Sequence, residues 1–138
     1  MDAPTKPIRK AKPDIQPKKR ITQKKGDAAE SHAWHWLIQQ GLRPVRRNYR
    51  CRLGEIDLIL LDGDTLAFVE VRRRKNQTFG GAAQSVTYHK QQKIIKTAQH
   101  FLMSHPNYQS LAARFDVIAY ESAPEEIAPI WYKGAFTL

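Results

Sequence analysis

Apolar and polar residues change rhythm several times along this chain. Ala33, Trp34, Leu37 and Ile38 recur at helical spacing. Asp27 followed by Glu30 reads as a capping box, with Asp27 as N-cap, so a helix is expected from Asp27. Gly41 suits the C′ position that ends it. Glu30 falls three residues before Ala33, at the edge of the inward face. From Val45 to Arg52, Val45, Arg47 and Tyr49 alternate with Arg46, Asn48 and Arg50, which predicts an edge strand with arginines toward solvent or a phosphate backbone. Two strongly apolar strands follow, Glu55–Leu61 and Thr65–Arg72, joined through Asp62-Gly63-Asp64 as a hairpin. Arg73–Gln84 reads as a polar loop. A second helix is expected from about Thr87 to Ser104, with Tyr88, Gln91, Ile95, Ala98 and Leu102 along one face and His105-Pro106-Asn107 ending it. Phe115–Glu121 and Ile127–Tyr132 read as the last strands, the final one an edge because of Pro129. The order predicts an α/β fold with a mixed central sheet flanked by helices.

Charge changes this picture only at one end. The 138-residue chain carries a formal charge of +10. Residues 1–25 hold nine Lys or Arg against Asp2 and Asp14, together with Pro4, Pro7, Pro13 and Pro17. They have too little apolar surface to offset the entropy of ordering, and read as a disordered basic arm. The arm either solubilises or draws in phosphates non-specifically. The expected folded domain is 26–138. One cysteine, Cys51, excludes an internal disulfide and fits a reducing, cytoplasmic setting. No apolar run approaches the ~18 residues of a membrane span. The five histidines and Cys51 show no metal-ligand spacing. Trp34 and Trp36 read as core and surface of one helix.

Two acids stand out in the apolar hairpin. Asp57 interrupts EIDLILL, and Glu70 interrupts TLAFVEVR on the same face as Arg72. The loop decides whether they meet. A two-residue loop pairs Leu61 with Asp64 and sets Asp57 diagonal to Glu70. A four-residue loop pairs Leu61 with Leu66 and sets Asp57 opposite Glu70. A three-residue loop separates them. The Asp-Gly signal favours the shortest. Two carboxylates that meet repel unless one is protonated or a cation lies between them. Mg²⁺ or Mn²⁺ suits such oxygen ligands and would polarise a phosphodiester and activate water. Arg72 or Lys90 could stabilise the developing charge. The structural alternative is that Arg72 neutralises Glu70 and Asp57 accepts backbone donors in a bend.

The run GEIDLILLDGDTLAFVEVRRR followed by FGGAAQSVTYHKQQKI resembles the YraN family of small bacterial proteins. The earlier GDAAESHAWHWLIQQGLRPVRRNYRCRLGEIDLI and the later RFDVIAY and AFTL fit the same family, so the resemblance covers about residues 26–138. That family is similar to restriction-endonuclease-like proteins, close to archaeal Holliday-junction resolvases. The resemblance implies an αβββαβ core and a site made of a Glu on the first helix, an Asp on the second core strand and Glu-x-Lys on the third. Glu30, Asp57 and Glu70 match these positions. Arg72 stands where the lysine would be, and arginine cannot accept a proton. Lys90, and Gln84 as a helper glutamine, are further candidates. The implied activity is metal-dependent nuclease action on DNA, branched DNA included, with RNA as a further candidate and a homodimer as in the related resolvases. Arg46, Arg47 and Arg50 would hold the nucleic-acid backbone. The rival expectations are a nucleic-acid-binding module without cleavage and a scaffold that reuses the fold.

Overall fold

A computed structural model describes residues 21–73, 85–121 and 128–137, with side chains of the first helix from residue 28 onward. Of the expected basic arm, residues 1–25, residues 1–20 lie outside the described residues and 21–25 are helical; of the expected Arg73–Gln84 loop, Arg73 ends a strand and the rest, Gln84 included, lies outside the described residues.

The first helix, α1, spans Ile21–Gln39. It starts six residues before Asp27, so the expected capping box does not exist. Gln23, Lys24 and Lys25 are good helix formers, and the last preceding proline is Pro17, so helical propensity extends the helix backward. The other end is as expected. Gly41 has φ 102, its N–H donates to the Ile38 carbonyl at 3.0 Å, and the Leu42 N–H reaches Leu37 O at 3.1 Å. With Leu37 and Leu42 both buried, this is a Schellman stop.

Five strands follow in one sheet. They are β1 (Arg43–Cys51), β2 (Gly54–Asp62), β3 (Thr65–Arg73), β4 (Ala112–Tyr120) and β5 (Ile130–Phe136). The second helix, α2 (Tyr88–Ser104), connects β3 to β4, with Thr87 as its N-cap. The sheet order is β1-β2-β3-β4-β5. Only β3 and β4 are parallel, which is the pairing that needs a long crossover. This is the expected mixed α/β architecture with an αβββαβ core. The last strand begins after Pro129 rather than at Ile127, and forms one sheet edge while β1 forms the other.

The helices cover opposite faces. Ala29, Ala33 and Leu37 of α1 pack on Leu58, Leu60, Ala67, Val69, Ile118 and Tyr120. Ile94, Ile95, Ala98 and Phe101 of α2 pack on Tyr49, Ile56, Ile59, Leu66, Phe68, Phe115 and Val117. Tyr88, expected on the inward face of α2, is 74% exposed because it precedes the first turn that meets the sheet. Trp34 and Trp36 are both half-buried; Trp36 meets Trp131 edge-on at 5.9 Å. Among the described residues, no helix is long and apolar enough to cross a membrane.

The hairpin register differs from the favoured expectation. Asp62 pairs with Thr65 and Leu61 with Leu66, so the loop is Gly63-Asp64. Gly63 has φ 62, and among the described non-glycine residues only Asn48 has positive φ. Positive φ at the first loop residue alone is the sign pattern of a type II′ turn, which wants Gly first. The loop is therefore Gly-Asp and not Asp-Gly. This register, continued, sets Asp57 opposite Glu70.

Candidate functional site

The β2–β3 ladder does not continue that far. Its Cα pairing runs from Asp62↔Thr65 to Leu58↔Val69 and ends there. Beyond it, Ile56 and Glu55 stay with Tyr49 and Arg50 of β1, while Glu70 stays opposite Val117 of β4. The sheet forks between Asp57 and Glu70. Face alternation also breaks at this point. Leu58 faces α1 but Ile56 faces α2, and Asn48, across from Asp57, has φ 53. The expected strict alternation along β1 fails for the same reason.

Asp57 occupies the fork. Every second amide of β3 from Thr65 faces β2, so Val71 would continue the ladder; its N–H donates to Asp57 Oδ2 at 2.8 Å instead. Glu30 of α1 and Glu70 also lie close enough for their side chains to interact with the Asp57 carboxyl. The three acids matched by the resemblance thus meet. Glu30 reaches in from the α1 side and Glu70 from the α2 side.

Burial raises the Asp57 carboxyl above its usual range, against the Val71 amide and the Glu30 side chain that hold it down. Burial also pushes Glu70 up, to about 8, with the Asp57 charge adding to the rise and Arg72 opposing it. Arg72 donates from Nη1 to Glu70 Oε2 at 3.1 Å and from Nε to Ser85 Oγ at 2.8 Å. Ser85, just before α2, was not visible as a site residue from the sequence.

On the α2 side Glu70 and Arg72 open into a groove of about 600 Å³. Arg50, Cys51, Gly54 and Glu55 of the β1–β2 hairpin form one wall, and Lys90, Lys93 and Ile94 form the other. Lys93, one turn after Lys90, could have been found by helical spacing. Arg50 pairs with Glu55 at 2.9 Å, with both side chains largely exposed. Among the described residues, no ion pair involves Lys90 or Lys93.

Arg46 and Arg47, expected on the backbone-binding surface, do not line the groove. Arg47 donates to Ser31 Oγ at 2.8 Å and lies over Trp34, packed against α1. Arg46 is exposed and lies over Tyr49. His32 bonds the Tyr120 hydroxyl, His100 bonds the Tyr49 hydroxyl and His105 stacks on Phe101.

Gly54, at the rim of the groove, lets the β1–β2 hairpin approach α2 closely. Its φ is 151, and a Cβ there would lie 2.9 Å from Thr97 Oγ1, whose hydroxyl is already committed to Lys93 O. Gly54→Ala is expected to cost about 1–3 kcal/mol through this strain and close approach. Thermal melting checks it; an unchanged midpoint would show that the hairpin can withdraw from α2.

A family profile described as "Uncharacterised protein family UPF0102" matches residues 29–120, from the inward face of α1 to the end of β4. The chain belongs to the UPF0102 family. A UPF0102 protein of Alcanivorax borkumensis is 50% identical over 112 residues, 80% of this chain and 90% of its own length. One from Legionella pneumophila is 47% identical over 116 residues, covering 84% and 97%. One from Aeromonas hydrophila is 52% identical over 113 residues, covering 81% and 84%. The UPF0102 match contains Glu30, Asp57, Glu70, Arg72, Lys90 and Lys93 and stops short of β5.

Proposed function

We propose that this UPF0102 protein is a metal-dependent nuclease-like protein that acts on nucleic-acid phosphodiesters, with DNA as the leading substrate. The observation that carries the reading is the convergence of Glu30, Asp57 and Glu70 in the sheet fork, beside Arg72 and a groove rich in cations.

The donor set fits a hard divalent ion. Among the described residues, no group of three or more His, Cys, Asp or Glu is arranged to hold a metal. Mg²⁺ needs less than that, because it keeps waters and uses one or two carboxylates together with substrate phosphate. Asp57 and Glu70 would supply those carboxylates, and the burial that raises both, together with the Asp57 charge that raises Glu70 further, is what a bound cation relieves. When bound, Mg²⁺ or Mn²⁺ would supply Lewis acidity toward the phosphodiester.

The chain's own residues do the rest. The Val71 amide and Glu30 fix the Asp57 carboxylate. Ser85 holds the Arg72 guanidinium beside Glu70, where it can neutralise charge that develops on phosphate. The Arg72 guanidinium is a donor only and has no lone pair to act as a general base.

The test is a cleavage assay with Mn²⁺ or Mg²⁺ on linear, flapped and branched DNA. Cleavage is expected with metal and not with EDTA, and Asp57→Asn is expected to lower it about 100-fold or more. Cleavage that persists in Asp57→Asn would overturn the assignment. DNA binding with no cleavage under any metal would favour the module reading, in which the Arg72–Glu70 ion pair is purely structural.

A further inference from the structure

A phosphodiester can approach the carboxylates past Glu30 on the α1 side or past Arg72 on the α2 side. The cations on the two sides are differently engaged. On the α1 side Arg47 is tied to Ser31 and Trp34. Arg114 is tied to Asp62 and Asp116, and Lys133 lies over Trp131, 3.8 Å from Asp62, which leaves Arg73 as an exposed cation at the end of β3 on that side. On the α2 side Lys90 and Lys93 are exposed, one helical turn apart, and without a carboxylate partner among the described residues. Facing them, Arg50 is 71% exposed, and so exposed an ion pair exchanges readily for phosphate.

We infer that one nucleic-acid strand lies along the α2 groove, with Lys90 and Lys93 gripping phosphates from the helix and Arg50 from the hairpin. The inference rests on the nucleic-acid reading above and adds the surface. Cations on opposing walls of a cleft focus positive potential along its axis. Cys51 on the hairpin wall and Ile94 on the helix wall add apolar surface to the groove. Glu70 and Arg72 lie in the same groove, so a strand held there places a phosphate at the acids.

Counterion release makes this countable. Each phosphate contact contributes about 0.7 to the slope of log affinity against log salt for a single strand. The experiment uses the full chain in EDTA, a fluorescent single-stranded DNA oligonucleotide, and anisotropy titrations over a salt series. The basic arm contributes equally to every variant, so only differences are read. Lys90→Ala/Lys93→Ala is expected to weaken binding and to reduce the slope by about 1.4. Both lysines are exposed, so its melting curve should match the native one. Arg73→Ala removes an exposed cation on the opposite parity of β3, toward α1, and should leave the slope unchanged.

A native slope in the lysine variant, or a reduced slope in Arg73→Ala alone, would overturn the inference. Absence of native binding at low salt would overturn it together with the nucleic-acid reading. A reduced slope without metal-dependent cleavage would support the groove and remove the catalytic reading. Asp57-dependent cleavage with an unmoved slope would do the reverse.

Discussion

Glu70→Gln is expected to make the protein more stable at pH 8–9 while removing metal-dependent cleavage. The Glu70 carboxyl lies at about 8 in the folded chain against an ordinary value of 4.5. Folding therefore takes up a proton between these values. The stability this contributes is complete below about 4.5 and is lost as pH rises through 8. Gln stays neutral throughout, so its advantage over the native chain is largest above pH 8 and closes toward pH 4.5. Glu70 is only 14% exposed, so solvent screening takes little from the effect, but the variant also loses the Arg72 ion pair. A gain on the order of 2–4 kcal/mol, or about 10 °C in Tm, is expected at pH 9. Urea unfolding at pH 5, 7 and 9 measures it. Parallel stability curves would show that Glu70 is not held neutral by its surroundings. Adding Mn²⁺ should raise the native Tm and leave the variant's unchanged, a readout of metal binding that needs no substrate.

Asp116→Ala is expected to be the most destabilising single change away from the groove. Asp116 is fully buried. It accepts from Arg114 Nε at 2.8 Å, Arg114 Nη2 at 3.0 Å, Trp131 Nε1 at 3.1 Å and the Gly134 N–H at 2.9 Å. Four donors converge where the β4–β5 register shifts between Phe115 and Val117. Removing the carboxylate leaves Arg114 with Asp62 alone and strands the indole and amide donors. Breaking a buried pair of this kind costs about 3–5 kcal/mol. The measurement is the midpoint of urea unfolding at unchanged m-value. A loss below about 1 kcal/mol would mean that water or Asp62 takes over the donors.

Local chemistry made much of the fold legible. Gly41 signalled the end of α1, the start of α2 was expected at about Thr87, and the order of apolar runs gave the helix–strand sequence. The site was less legible, and each gap has a physical reason. The turn residues Asp62-Gly63-Asp64 permit two readings, and which one forms depends on which acid joins the strand. Taking Asp-Gly as the loop put Asp57 diagonal to Glu70, whereas the Gly-Asp register aims it at Glu70 and the ladder then ends at Leu58 and Val69 before the two can pair. Arg47 shares its sequence context with Arg46 and Arg50, but a register shift after Pro44 and the positive φ of Asn48 turn it onto α1. Asp116 drew no notice in FDVIAY because its partners Trp131 and Gly134 arrive from a strand about fifteen residues later. Glu30 is an edge residue by periodicity alone; its part in the site came from the family resemblance, and the fold supplies the contact with Asp57.

The fork also sets the mechanical character of the site. Two residues directly opposite each other in one antiparallel ladder are held with their Cα atoms roughly 4.5–5.5 Å apart by the backbone hydrogen bonds of the ladder. Asp57 and Glu70 are not, because one is braced by β1 and the other by β4. Their separation can widen or narrow without breaking a rung, with the Val71–Asp57 bond as the tether between the two halves. The aperture between the acids is therefore compliant while the sheet around it is stiff, which under the proposed function would let it adjust to ions of different radius, or to a change in phosphate shape, without straining the fold.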